Sequence, residues 1–343
     1  MGWAVFSSLL LLFALGLALQ LYPVQNWILG KLTSSLGEKS DFRTEIGTIR
    51  LRWWDALSLD DIAVYDQKDS LILGAKELYV DFSLFSLLPP GDPELDQIRV
   101  EQAYIHLINH PGDSVLSINR WIATLGEVFG NPSSTNPAKI DIRSLALRNT
   151  TLAYSNLQAP AITQGWDNSK IEWNELSANM ANLHVEGDRL ELELLQLSGQ
   201  ERYTGMHIRQ LKTEIAYSPE YLELTNLDLQ TDKSRIKNYL RLAPKGPKGY
   251  ADFINQVELN AFFDETVIHL SDIIRFAPTA PVIDDEIVLS GPLTGTIANL
   301  SSEEFLIRLG EKTALFGSIL VQGLPQLDST FLQLNLKNSV VAA

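Results

Sequence analysis

Leu190-Glu191-Leu192-Glu193-Leu194 alternates apolar and acidic side chains over five residues. Successive side chains on a β-strand point to opposite faces, so such a segment has one greasy face and one charged face. The same period of two recurs along most of the chain. Leu78, Val80, Phe82 and Leu84 alternate with Tyr79, Asp81 and Ser83. Leu222 and Leu224 flank Glu223, and Val257, Leu259, Ala261 and Phe263 alternate with Glu258 and Asn260. Leu332, Leu334 and Leu336 close the series. Turn chemistry interrupts at short intervals: Asp66-Gln67-Lys68-Asp69, Gly187-Asp188, Ser218-Pro219, Lys245-Gly246-Pro247 and Ser290-Gly291-Pro292. Short strands with such punctuation predict a mainly β fold, an all-β array that begins near Phe42.

Three segments are loosely alike: Leu57-Ser58-Leu59-Asp60-Asp61, Leu145-Ala146-Leu147-Arg148-Asn149 and Leu222-Glu223-Leu224-Thr225-Asn226-Leu227. In each, Leu-x-Leu precedes a small polar pair. The pattern has no fixed period, but it favours stacked β units over two compact domains. One short helix is expected beyond the N-terminal region, over 118–129. Its Trp121, Ile122, Leu125 and Phe129 share a face, and Ser117 is placed to cap it. Gly130-Asn131-Pro132-Ser133-Ser134 reads as a linker after it.

The N-terminal region differs. From Trp3 to Tyr22 there is no charged residue. Twenty residues at about 1.5 Å rise each span the roughly 30 Å hydrocarbon layer. Trp3 and Tyr22 stand at the two ends, where amphipathic rings favour the headgroup zone. Gly16-Leu17-Ala18 offers the small residues of a signal-peptide cleavage site. The apolar run is nonetheless longer than the usual signal core, and no Lys or Arg precedes it, so an uncleaved transmembrane anchor over 1–22 is expected. Residues 23–40 read as an amphipathic helix, with Val24, Trp27, Ile28, Leu32 and Leu36 at helical spacing.

Composition excludes several functions. The 343 residues carry 27 Lys+Arg against 42 Asp+Glu, a formal net charge of −15. Little here would displace counterions from a phosphate backbone, so no nucleic-acid partner is expected. With no cysteine, a disulfide framework, a Cys-ligated metal and a cysteine nucleophile are excluded. No other catalytic pattern stands out, and neither a cofactor nor a metal is expected. His106 and His110 lie four apart beside Pro111-Gly112, without the glutamate of a metalloprotease helix, and read as a strand-end surface pair. Asp284-Asp285-Glu286 lacks the spaced ligands of a calcium loop and reads as a solvated turn. Lys245-Gly246-Pro247-Lys248-Gly249 lacks the order of a phosphate loop. Asn149-Thr150-Thr151 and Asn299-Leu300-Ser301 match the glycosylation triplet, which is common by chance. Trp53-Trp54 reads as a packing anchor.

The alternating leucines admit two readings. They are the core of a two-sheet sandwich acting as a membrane-anchored scaffold, or they line an open sheet whose apolar face holds acyl chains. In the second, the candidate groove residues are Leu78, Val80, Phe82, Leu190, Leu192, Leu194, Leu222, Leu224, Val257, Leu259 and Phe263.

The order of segments resembles the AsmA/TamB superfamily, in particular the TamB-like proteins of Bacteroidota. The anchor is followed by Leu21-Tyr22-Pro23-Val24-Gln25 and the amphipathic helix, then Ile46-Gly47-Thr48-Ile49-Arg50 and Leu57-Ser58-Leu59-Asp60-Asp61-Ile62-Ala63-Val64-Tyr65-Asp66. Ala75-Lys76-Glu77-Leu78-Tyr79-Val80-Asp81-Phe82 continues the succession. Further on come Leu222-Glu223-Leu224-Thr225-Asn226-Leu227-Asp228, Phe263-Asp264-Glu265-Thr266-Val267-Ile268 and Val288-Leu289-Ser290-Gly291-Pro292-Leu293-Thr294-Gly295. The resemblance implies a single-pass inner-membrane protein with a periplasmic β-taco, an elongated, curved antiparallel β array. Its groove would carry phospholipid toward the outer membrane, and it would act in outer-membrane biogenesis without being an enzyme. It also implies a BamA-type outer-membrane barrel as partner, through a C-terminal region that this chain lacks. Residues 41–130 then form the N-terminal module and 131–343 continuing β-taco repeats, the chain being the N-terminal part of a longer protein.

Overall fold

The computed structural model describes Gly30 and residues 41–341, apart from 53–55, 83–93, 114, 130–138, 161–166, 168, 247–248, 276–284, 311, 325 and 327–328. The expected anchor with Trp3 and Tyr22, the Trp53-Trp54 pair and the linker at 130–134 lie outside the described residues, as does all of the amphipathic helix except Gly30. No helix among the described residues is long and apolar enough to cross a membrane.

The chain divides into two compact units. The first comprises Met1–Ala161, Asp167–Gly187 and Glu201–Tyr203, and the second Ile162–Trp166, Asp188–Gln200 and Thr204–Ala343.

The first unit holds β1 (Arg43–Arg52), β2 (Ala56–Tyr65), β3 (Leu71–Phe82), β4 (Glu94–Glu101), β5 (Tyr104–Asn109), β6 (Lys139–Asn156) and β7 (Lys170–Glu186), with helix α1 (Ser117–Phe129). Its strands run β1-β2-β3-β4-β6-β7, and β5 pairs with both β3 and β6. The expected antiparallel array is present, with one departure from it in this unit. β4 and β5 lie in succession along the 18-residue β6, and both pair with it in parallel. A parallel neighbour needs a crossover of a dozen residues or more, usually helical. The connection from Asn109 to Lys139 is such a crossover, and α1 lies within it. Trp121 of α1 packs against a cluster of Phe42, Val64, Ile72 and Ile108.

The second unit is an uninterrupted antiparallel meander: β8 (Arg189–Glu201), β9 (His207–Ser218), β10 (Tyr221–Thr231), β11 (Arg235–Pro244), β12 (Val257–His269), β13 (Glu286–Thr296), β14 (Asn299–Leu309), β15 (Thr313–Gln322) and β16 (Phe331–Leu336). Two short helices, α2 (Phe253–Gln256) and α3 (Leu270–Ile274), flank β12. At four and five residues they are too short to leave a helical period in the sequence.

In two of its three occurrences the loose repeat marks a β-bulge, whereas at Asp61 the register of β2 with β1 and β3 runs on unbroken. Asp61, Asn149 and Asn226, the last polar residue of each matched segment, all adopt φ near +50°. Gln102, Glu175 and Glu265 do the same. Each is followed by a buried residue: Ile62, Thr150, Leu227, Ala103, Leu176 and Thr266 respectively. The pairing register slips at Asn149, Asn226 and Glu265. An extra residue in one strand bends it and re-aims the next side chain. Ser290-Gly291-Pro292 is also corrected, because it lies inside β13 and is not a turn. Pro292 has no N–H, and it falls between Ser290 and Thr294, where the β13–β14 ladder lapses.

Candidate functional site: an apolar sheet face

Asp66, His110 and Ser117 are buried together, which corrects the surface reading of His110. His110 Nε2 lies 2.7 Å from Asp66 Oδ2, and the Ser117 hydroxyl donates to that same oxygen at 2.8 Å. The amides of Lys68 and Ser70 donate to Asp66 Oδ1. In a nucleophilic triad the histidine stands between serine and acid. Here the acid stands between the other two, so the arrangement clamps α1 to the β2–β3 turn. Ser117, expected as a cap, is the first residue of α1 and spends its proton on Asp66. Asp272 plays a matching part in the second unit, accepting from Thr231 and Ser234 at 2.6 and 2.7 Å.

His184 and Asp141 form a second polar group, 2.5 Å apart on β7 and β6. The Asp141 carboxylate holds the His184 imidazole above its usual pKa, and His184 in turn holds Asp141 below its own. Arg143 pairs with Asp96 at 2.7 Å beside them. Among the described residues no group of three or more His, Asp or Glu is arranged to hold a metal ion.

The largest ordered feature is apolar. In an antiparallel pair directly opposed residues share a face, so the register can be followed from strand to strand. In the second unit one row runs Leu190, Tyr217, Leu222, Leu242, Leu259, Gly295, Leu300, Val321, Leu332, one residue from each of nine strands. The next begins Leu192, Ile215, Leu224, Leu240, Ala261, Leu293. The intervening row, on the other face, runs Glu191, Ala216, Glu223, Arg241, Asn260, Thr294, Ser301, Leu320, Gln333. The first unit repeats the design, with Leu51, Leu57, Val80, Ile98, Leu145 and Met180 beside Ile49, Leu59, Leu78, Val100, Leu147 and Ala178.

The candidate groove residues fall into these rows as two sets. Leu78 and Val80 occupy adjacent rows of the first unit, and Phe82 ends β3 opposite Leu95. In the second unit Leu190, Leu192, Leu194, Leu222, Leu224, Val257, Leu259 and Phe263 all lie on one face. Leu194 and Val257 are buried, and the other six are half-buried. Strand-by-strand reading missed Tyr217, Leu240, Leu242, Leu293, Leu300 and Val321, which carry the same alternation and complete the rows.

Between β12 and β15 the face is hollowed. Gly291, opposite Phe263, stands where neighbouring strands place large side chains, and an apolar hollow of about 190 Å³ opens beside it. Phe263, Leu293, Ser302, Phe305, Ile319 and Val321 are among the residues lining it. A Cβ on Gly291 would lie 2.3 Å from the Glu304 carbonyl oxygen, and one on Gly295 2.1 Å from that of Asn299. The backbone itself therefore forbids filling the hollow from Gly291, the one of the two that lines it. Neither a protein-family model nor any curated protein sequence matches the chain.

Proposed function

We propose that this protein is a non-enzymatic lipid conduit of the kind the AsmA/TamB resemblance implies. It would be anchored in the inner membrane by residues 1–22, with the sheet in the periplasm as a β-taco that passes phospholipid toward the outer membrane. The observation that supports this reading is the nine-strand apolar row from Leu190 to Leu332, backed by a row from Glu191 to Gln333 that is polar except for Ala216 and Leu320. Its middle members are only half-buried and Leu332 is exposed, whereas a sandwich core would bury them. Transfer of each CH₂ from water to such a surface is worth roughly 0.8 kcal/mol. Acyl chains can thus be held without a dedicated polar pocket, and many near-equal sites allow movement between them. A BamA-type barrel as the receiving partner belongs to the same proposal.

Photo-crosslinking separates this from the scaffold reading. A benzophenone side chain placed at Leu224 or Leu259 should capture phospholipid in cells, and the same group at Glu223 or Asn260 should not. Equal capture from both faces, or none from either, would leave the scaffold.

A further inference from the structure

We propose that the hollow between β12 and β15 is a fixed seat for one esterified acyl chain, with the Ser302 hydroxyl donating to the ester carbonyl. This deepens the conduit reading and rests on it. Three features of the hollow carry the assignment. Its size comes first: an enclosed apolar cavity of about 150 Å³ takes up compact hydrocarbon, and this open hollow, about 190 Å³, has room for a stretch of acyl chain. It is also built into the backbone, since glycine is required at 291, in its lining, by the approach of the next strand.

The third feature is a polar atom without a partner. Ser302 lines the hollow and is 5% exposed, yet its hydroxyl has no hydrogen-bond partner among the described residues. Buried hydroxyls are almost always satisfied. The other serine of the lining, Ser290, already accepts from the Glu265 amide, so the unpartnered Ser302 hydroxyl matches a single acceptor on an apolar ligand. No charged side chain lines the hollow. Arg308, on neighbouring β14, pairs with Glu265 at 3.2 Å. A free carboxylate would be buried without a counter-charge, which is costly. The neutral carbonyl of an acyl ester meets no such penalty, so the seat selects lipid ester over fatty acid.

The test uses the full chain and two probes: phosphatidylethanolamine with a diazirine midway along one acyl chain, and a free fatty acid with the same group. Phospholipid adducts should concentrate on peptides holding Phe305 and Ile319 over those holding Leu192 and Leu224. Ser302→Ala should lower the concentrated adducts about threefold to tenfold, the weight of one hydrogen bond. It should leave the lipid-free protein equally or more heat-stable, because it removes an unsatisfied hydroxyl. Ile319→Trp should fill the hollow and abolish those adducts while the others persist. Even labelling along β8–β16, unchanged in Ser302→Ala, would overturn the seat and leave the conduit standing. No adducts anywhere would overturn both. Labelling by the fatty acid that matches or displaces the phospholipid would overturn the ester assignment.

Discussion

The Ser117 hydroxyl donates to the Asp66 carboxylate at 2.8 Å across 51 residues of sequence, tying the first residue of α1 to the turn between β2 and β3. This contact fixes where the crossover helix begins. It also lets Trp121 reach the cluster around Phe42 and Ile72. Serine, histidine and aspartate here hold a fold together.

Replacing Asp66 with Ala should therefore be severe. It orphans the Ser117 hydroxyl, the His110 ring and two backbone amides in a buried place. About 3 kcal/mol of unfolding free energy should be lost, measured by urea denaturation. Burial pushes the Asp66 carboxyl up, but the Ser70 amide, His110, Ser117 and the Lys68 amide together hold it below its ordinary 3.8. A carboxylate depressed in the fold stabilises above its unfolded pKa, and that contribution is lost as pH falls through the folded value. Wild-type stability should thus decline below about pH 4, with a shallower decline in Asp66→Asn. Identical acid limbs for the two proteins would show that Asp66 carries no such linkage.

Strand identity was legible because one-faced burial imposes a period of two, visible in Leu190-Glu191-Leu192-Glu193-Leu194. Pairing partners were not, since nothing within β4 or β6 records that they run in parallel. Ser290-Gly291-Pro292 carries turn chemistry inside a strand, where a lapse in the ladder accommodates Pro292 and a close carbonyl demands Gly291. The hollow went unseen for the same reason: glycine reads locally as a turn signal, whereas here it marks the absence of a side chain on a long-range surface. The polar pairs after Leu-x-Leu were visible as a repeat. That the pairs ending in Asn149 and Asn226 are bulges needs the strand register.

Asn149 tests the bulge reading. It sits at φ +48°, a conformation that costs L-residues about 1–2 kcal/mol and β-branched ones most. Asn149→Val should lose about 2 kcal/mol by thermal or chemical unfolding, whereas Asn149→Gly should stay within about 0.5 kcal/mol of wild type. Equal tolerance of both would mean that the left-handed turn does not persist in solution.

Gly291 is more demanding. Alanine there meets the Glu304 carbonyl at 2.3 Å, and main chain cannot swing aside as a flexible side chain would. Gly291→Ala should cost about 3 kcal/mol, whereas Gly112→Ala, with open space around its Cβ position, should cost about 1 kcal/mol for its positive φ alone. Calorimetry of the two variants would show whether β13 and β14 approach as closely as the register requires.

His184 titrates above the usual 6.5, chiefly through its hydrogen bond to Asp141. A raised histidine adds stability below its unfolded pKa and loses it as pH rises through the folded one. In an NMR titration, Asp141→Asn should move the His184 midpoint down toward 6.5, while Glu186→Gln, a weaker and more distant partner at 3.8 Å, should move it less. A midpoint indifferent to Asp141 would break the pairing.

A charge on the apolar face is the sharpest probe of the conduit. Leu259 lies between Leu242 and Gly295 in the long row, and Asn260 lies next to it on the other face, between Arg241 and Thr294. An aspartate at 259 places a carboxylate where acyl chains would lie, and excluding water from it costs several kcal/mol. Leu259→Asp should therefore cut phospholipid co-purifying with the full chain more than tenfold, whereas Asn260→Asp should leave it unchanged. Leu192→Asp, at the far end of the neighbouring row, should act like Leu259→Asp if lipid moves along the sheet. Were it to spare loading at β12–β15 while Leu259→Asp abolished it, lipid would be bound at one place and not conducted.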